Sequence, residues 1–262
     1  MVARLRWTDW FWDPTLIAGL VLAALLYLWV LRRAPARRWQ PAAFWTGWGT
    51  LVVALLSPLH AGADYLFTLH MLQHMLLMIV APPLLVLGLP PAVYGTLYRS
   101  RGLRSLVGVL WSPAPATVLY NAVLLLWHIP QAYDATLQDP LVHALEHASF
   151  VAVGLVYWGV IASPSPRLHA SLGARIVMLL VADLVNFTLG FALAFAERPY
   201  YLPYTVVPRL WGLSPLDDLR LGGALMWIMG QMMYAVPLLV LLYWFLWRRE
   251  ERPGTAPRSA LP

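Results

Sequence analysis

Six of the seven histidines, His60, His70, His74, His128, His143 and His147, fall at or just beyond the same end of predicted membrane helices. Two pairs are spaced H-x-x-x-H: His70 with His74, and His143 with His147. Residues i and i+4 share a helix face and lie about 6 Å apart along its axis. Four imidazoles from two helices, at similar depth on one side of a bilayer, have the make-up of a metal site. Neutral imidazole is the commonest protein metal ligand and suits copper, zinc and iron. His74 and His147 lie one turn deeper than His70 and His143, so they are the expected anchors, with His70, His143 and His128 completing or relaying the ion. Imidazoles that only hydrogen-bond between helices would give the same pattern. Ionisable groups inside a bilayer are nevertheless costly and usually functional.

Other side chains extend the site. Met71, Met75 and Met78 follow the first pair down its helix, and Met226, Met229, Met232 and Met233 line the last span. Thioethers favour Cu(I), although methionine is also an ordinary gap-filler. Met78 is one turn below His74 on the same face. Glu146 turns the second pair into H-x-x-E-H, the order of the inverzincin zinc hydrolases. The first pair has Gln73 at that place and no downstream glutamate ligand stands out, so Glu146 reads equally as an orienter of a ligating histidine. Asp134 and Asp139, in the loop after the fourth span, are candidate cation ligands or simply solvated acids. His60 lies just past the second span, with Asp64 nearby. Asp183 and Asn186 sit inside the sixth span, either as functional intramembrane polar groups or as hydrogen-bond partners of Asn121 or Tyr120. A haem held by His74 and His147 is a further reading, and it predicts a red preparation.

The elements that must position these groups are membrane helices. The chain is 262 residues long, 60% hydrophobic and 11% charged, with mean hydropathy +0.65. A soluble domain does not have this composition. Several apolar runs reach the roughly 20 residues needed to cross a bilayer. The expected fold is an all-α seven-transmembrane-helix bundle forming one domain over residues 1–247, with spans near 15–31, 42–57, 70–89, 114–128, 143–162, 174–196 and 221–247. Residues 248–262 read as a polar cytoplasmic tail. The first apolar run lacks a cleavage-like site before Arg32 and reads as a retained helix. There are no cysteines, which excludes disulfides and thiolate ligands.

All 18 basic residues are arginine. They cluster in helix-anchoring loops, so the net charge of +6 does not point to nucleic acid. Thirteen arginines fall on one side of the seven-span topology and five on the other. The positive-inside rule therefore puts the N-terminus outside and the C-terminus in the cytoplasm. That topology places the histidine cluster in the outer leaflet, leaving only His169 in a cytoplasmic loop. The loop from Pro199 to Pro215, rich in proline, tyrosine and tryptophan, holds interface anchors or a docking surface for another membrane protein.

Several segments occur together and in order: His70-Met-Leu-Gln-His74 running into Ala81-Pro82-Pro83 and Gly88-Leu89-Pro90; Trp127-His128-Ile129-Pro130 with Tyr133-Asp134; His143-Ala-Leu-Glu-His147 with Trp158; and Asp217-Asp218 before Gly222-Gly223 and Met226-Trp227. With these the chain, over about residues 45–247, resembles the CtaG family of cytochrome c oxidase assembly factors, the seven-helix kind associated with caa-type oxidases. The resemblance implies a multi-pass protein of the bacterial plasma membrane that helps mature a haem-copper oxidase by delivering copper to its subunits. It also implies metal positions at His70, His74, His128, His143 and His147. The expected activity is ligand exchange rather than catalysis. The rival reading is a membrane zinc hydrolase built on the same cluster.

Overall fold

The computed structural model describes residues 5–97, 105, 108–164 and 170–250. Arg4, Arg99, Arg101, Arg104, Arg167 and His169, and the expected tail beyond 250, lie outside the described residues. The described residues form α1 (Pro14–Arg33), α2 (Gln40–Leu56), α3 (Pro58–Ala63), α4 (Phe67–Met75), a π-helical turn (Leu76–Val80), α5 (Ala81–Gly88), α6 (Pro91–Leu97), α7 (Pro113–Trp127), α8 (Pro130–Gln138), α9 (Pro140–Ala162), α10 (Leu172–Ala194), α11 (Pro203–Val206) and α12 (Pro215–Glu250).

Proline begins many of these helices because a first-turn position has no intrahelical use for an N–H. Asp13 and Asp139 cap α1 and α9 with their carboxylates. Among the described residues, five helices are long and apolar enough to cross a membrane: Pro14–Arg33, Phe67–Gly88, Pro140–Ala162, Leu172–Ala194 and Pro215–Trp247. The expected second and fourth spans form the 17-residue α2 and the 15-residue α7. At 1.5 Å per residue these are about 26 and 22 Å long, short of the roughly 30 Å hydrocarbon core.

Helices α4 and α5 are one apolar run interrupted by the π-helical turn, and its cause is local. Pro82 and Pro83 have no N–H to offer the carbonyls of Met78 and Ile79, so the ladder shifts register and the N–H of Ala81 donates to the carbonyl of Leu76. The Met78 carbonyl instead accepts from Trp158 Nε1, 3.1 Å away on α9. Gly154 allows this approach, since a Cβ there would lie 2.6 Å from Pro82 Cγ and 3.2 Å from the Met78 carbonyl.

Close packing recurs between α10 and α12, where a Cβ on Gly190 would meet the Trp227 nitrogen at 2.7 Å. Lipid offers no hydrophobic drive for helix pairing, so such small-residue contacts let backbones gain dispersion energy. Helix α1 packs on the edge, with Tyr27 stacked on Phe44 and donating its hydroxyl to the carbonyl of Gly88 at 3.0 Å. Its outer face, including Leu22, Leu25 and Leu26, is exposed, as a lipid-facing helix requires.

Candidate metal centre

The first turns of α4 and α9 and the last turn of α7 meet at one end of the bundle. Helix α4 supplies His70 and His74, and α9 supplies His143, Glu146 and His147. One ligand atom from each of His70, His74, Glu146 and His147 lies within 4.8 Å of the other three. All four residues are buried. A tetrahedral site with metal–nitrogen bonds of 2.0–2.1 Å has ligand atoms roughly 3.3 Å apart. Glu146 Oε2 lies 3.5 Å from both His70 Nε2 and His74 Nε2, close to that separation.

The hydrogen bonds fix the His70 tautomer. Tyr204 donates its hydroxyl to the carbonyl of Ala63 at 2.7 Å, and a carbonyl can only accept. The Tyr204 oxygen is therefore the acceptor for His70 Nδ1, 2.9 Å away, and Nδ1 carries the proton. Nε2 then presents a lone pair to the Glu146 carboxylate. With the imidazole neutral, a nitrogen lone pair and a carboxylate face each other in a buried space, an arrangement that a cation satisfies. His70 Nε2, both His74 nitrogens, both Glu146 oxygens and His147 Nε2 have no hydrogen-bond partner. Burial holds the Tyr204 and Tyr133 phenols well above their ordinary range, so both remain O–H donors. Tyr133 adds a hydroxyl contact to Tyr204 at 3.2 Å.

The remaining predicted residues surround this group. The His143 ring centroid is 4.2 Å from His147 and 5.2 Å from His70, and its Nε2 is buried without a partner. His128, at the end of α7, donates Nδ1 to the Leu124 carbonyl at 2.7 Å, leaving an unpartnered Nε2 lone pair. His60 lies in α3 and stacks on His143 at 5.5 Å. Gln73 donates its amide to the Ala54 carbonyl at 2.7 Å, and the same amide nitrogen is 2.9 Å from His60 Nδ1. His60 thus accepts at Nδ1, and its proton sits on Nε2, the wrong tautomer for ligation through that atom. Burial, with His70 nearby, pushes its pKa down to about 4.

Asp134 is not part of the close group. Asn186 donates to the Met226 carbonyl at 2.9 Å rather than to Asn121 or Tyr120, and Asp183 Oδ1 has no hydrogen-bond partner. Met78 is buried beside His74 and lines the same small cavity.

Glu146, an additional site candidate in the sequence as well as a possible catalytic acid or orienter, has its carboxylate among the ligand atoms. Three residues, Tyr133, Tyr204 and Asp218, carried no sequence signal of their role. Tyr204 belongs to the loop of interface aromatics and fixes the His70 ring, and Tyr133 stands beside Asp134 in the segment after His128. Asp218 appeared only in an acidic pair. It is fully buried and accepts from the backbone N–H groups of Phe67 and Thr68 at 2.9 and 3.1 Å. The proline-rich loop therefore folds inward through Tyr201 and Tyr204 instead of lying wholly on the surface.

Comparison with known proteins places this arrangement. The family model described as cytochrome c oxidase caa3 assembly factor (Caa3_CtaG) matches residues 25–249. An uncharacterized protein of Mycobacterium bovis and one of Mycobacterium tuberculosis are each 26% identical over 268 residues, covering 94% of this chain. The chain spans 40% of the length of these curated relatives. No solved structure matches it.

Proposed function

Because the chain belongs to the family of cytochrome c oxidase caa3 assembly factors, we propose that it carries copper within the membrane and hands it to a subunit of a haem-copper oxidase. Copper here is cargo. His70, His74, Glu146 and His147 hold it, and His143 and His128 relay it by exchange of one imidazole for another. The observation that carries this reading is the buried group of His70, His74, Glu146 and His147, whose ligand atoms lie within 4.8 Å of one another, with His70 Nε2 facing Glu146 Oε2 at 3.5 Å. Three imidazoles and one carboxylate suit copper and zinc alike, and the family's task favours copper.

In the proposed topology the chain crosses the bilayer seven times, N-terminus outside and C-terminus in the cytoplasm. The arginine asymmetry supports that orientation, and the bilayer thins around the short α2 and α7. The metal centre then opens toward the extracytoplasmic side of the bacterial plasma membrane, where a partner subunit receives the ion. Release requires moderate rather than maximal affinity.

The test is elemental analysis of protein purified in mild detergent without a His-tag, beside the His74→Ala/His147→Ala variant. Near-stoichiometric copper, lost in the variant together with copper loading of the oxidase in cells, is the expected result. Normal oxidase copper loading with the variant overturns the proposal. Stoichiometric zinc that persists under copper supplementation overturns the choice of metal.

A further inference from the structure

Below the His/Glu cluster, a cavity with room for one ion or water lies between α4, the π-helical turn, α7, α10 (through Asn186) and α12. Four methionines, Met71, Met75, Met78 and Met226, line it together with His74 and His128. All six side chains are at least nine-tenths buried. Met71, Met75 and Met78 recur at helical spacing and so share one face. The π-helical turn alters the register at Met78, and such turns are frequent at functional sites.

Methionine ordinarily fills irregular gaps, yet this gap is left open among four of them. It also has a polar wall. His128 Nδ1 donates to the Leu124 carbonyl, so its Nε2 carries a lone pair, buried and without a partner. An apolar packing defect has no reason to expose an imidazole lone pair, since an unmet buried acceptor is costly.

We propose that this chamber is a second, soft-metal site that binds Cu(I) through the imidazole of His128 and two or three of the thioethers of Met71, Met75, Met78 and Met226. The inference rests on the copper reading of the neighbouring cluster for its biological use. Thioether sulfur selects Cu(I) over divalent zinc, so the chamber filters the cargo before it meets the His/Glu group. His74 is the shared wall. Its Nε2 is 3.5 Å from Glu146 Oε2, and its ring also lines the chamber. An ion passes by exchanging sulfur for imidazole ligands, with no change of oxidation state.

Silver(I), a redox-inert soft ion, is the probe. Bound silver per chain is measured on the purified full chain, on Met78→Leu/Met226→Leu, and on Glu146→Gln/His147→Ala. Leucine conserves volume at the two methionines, and gel filtration with circular dichroism checks that each variant is folded. The wild type should bind one more silver ion than the methionine variant, or bind it at least tenfold more tightly. The Glu146→Gln/His147→Ala variant should keep that ion. X-ray absorption of the Cu(I)-loaded protein should show sulfur scatterers that the methionine variant lacks.

Equal silver binding by wild type and methionine variant, or a Cu(I) shell without sulfur, overturns the second site. If at the same time the Glu146→Gln/His147→Ala variant loses copper, the copper reading of the cluster stands alone. Silver binding that depends on the thioethers, in a protein whose cluster holds only zinc, supports the chamber and removes the copper reading of the cluster.

Discussion

The carboxylate of Asp218 caps the helix that begins at Phe67, about 150 residues earlier in the chain. Its Oδ2 accepts from the Phe67 N–H at 2.9 Å, and its Oδ1 accepts from the Thr68 N–H and hydroxyl at 3.1 and 2.9 Å. Helix α4 has no capping side chain of its own, so its first turn is satisfied by α12. An anion at a helix N-terminus also complements the macrodipole. The cap sets the start of α4, and with it the height of His70 one turn later.

Asp218→Asn tests that strut. The amide keeps one acceptor but turns an N–H toward the helix N–H groups, and it removes the ion pair of Arg209 at 3.4 Å, leaving that side chain its bonds to the Leu213 and Tyr204 carbonyls. The expected cost is on the order of 2–3 kcal/mol, the range for a buried charge-assisted bond. It is read as a lowered midpoint of thermal unfolding in detergent. Asp217→Asn is the control. Its exposed carboxylate pairs, among the described residues, with exposed Ser214, so a change within about 0.5 kcal/mol is expected there.

Tyr204→Phe removes the acceptor that holds the proton on His70 Nδ1. The fold should survive, because only one ring oxygen is lost, but the imidazole is freed to rotate and change tautomer. Loss of such an orienting partner typically costs 10–100-fold in metal affinity. Competition titration with a copper chelator measures it. An affinity equal to wild type would show that Tyr204 does not position the ligand.

Glu146→Gln should move stability and binding in opposite directions. Without metal, the wild type buries a carboxylate oxygen against lone pairs, and the amide can donate to one of them. The metal-free variant should therefore unfold at a higher temperature than the metal-free wild type. Metal binding stabilises only the form that binds it, so added copper should raise the midpoint of the wild type and barely move that of Glu146→Gln. A variant less stable than wild type without metal contradicts the acceptor-on-acceptor geometry.

Gly154→Ala should loosen the junction between α9 and the π-helical turn. The added methyl would lie 2.6 Å from Pro82 Cγ, inside contact distance, with a ring that cannot swing aside. Overpacking of this kind costs about 1–3 kcal/mol. Because Glu146 and His147 ride on α9 two turns away, copper retention through gel filtration should fall with stability. Unchanged stability would mean that the two helices have slack.

The local code shows clearly in particular elements. The apolar runs near 15–31, 143–162 and 174–196 form Pro14–Arg33, Pro140–Ala162 and Leu172–Ala194, within three residues at each end. A mainly apolar run has no lower-energy state in lipid than a helix that satisfies its own backbone. The i, i+4 spacing of His70 and His74 was also enough to place both on one face. Segments 42–57 and 114–128 likewise form Gln40–Leu56 and Pro113–Trp127 within two residues, but at 17 and 15 residues these are shorter than the five membrane-length helices.

The sequence by itself determined an all-helical apolar chain with histidines grouped at one end of its helices, because both properties depend on residue type and spacing within a single helix. Only the tertiary structure decided that Glu146 joins His70, His74 and His147, that His60 Nδ1 is taken up by the Gln73 amide, and that Tyr204 and Asp218 fix the geometry. Those choices depend on how each helix rotates and slides against its neighbours. In a chain apolar on nearly every face, hydrophobicity does not encode that rotation. It is set by close contacts at Gly154 and Gly190 and by single buried hydrogen bonds between residues far apart in the chain.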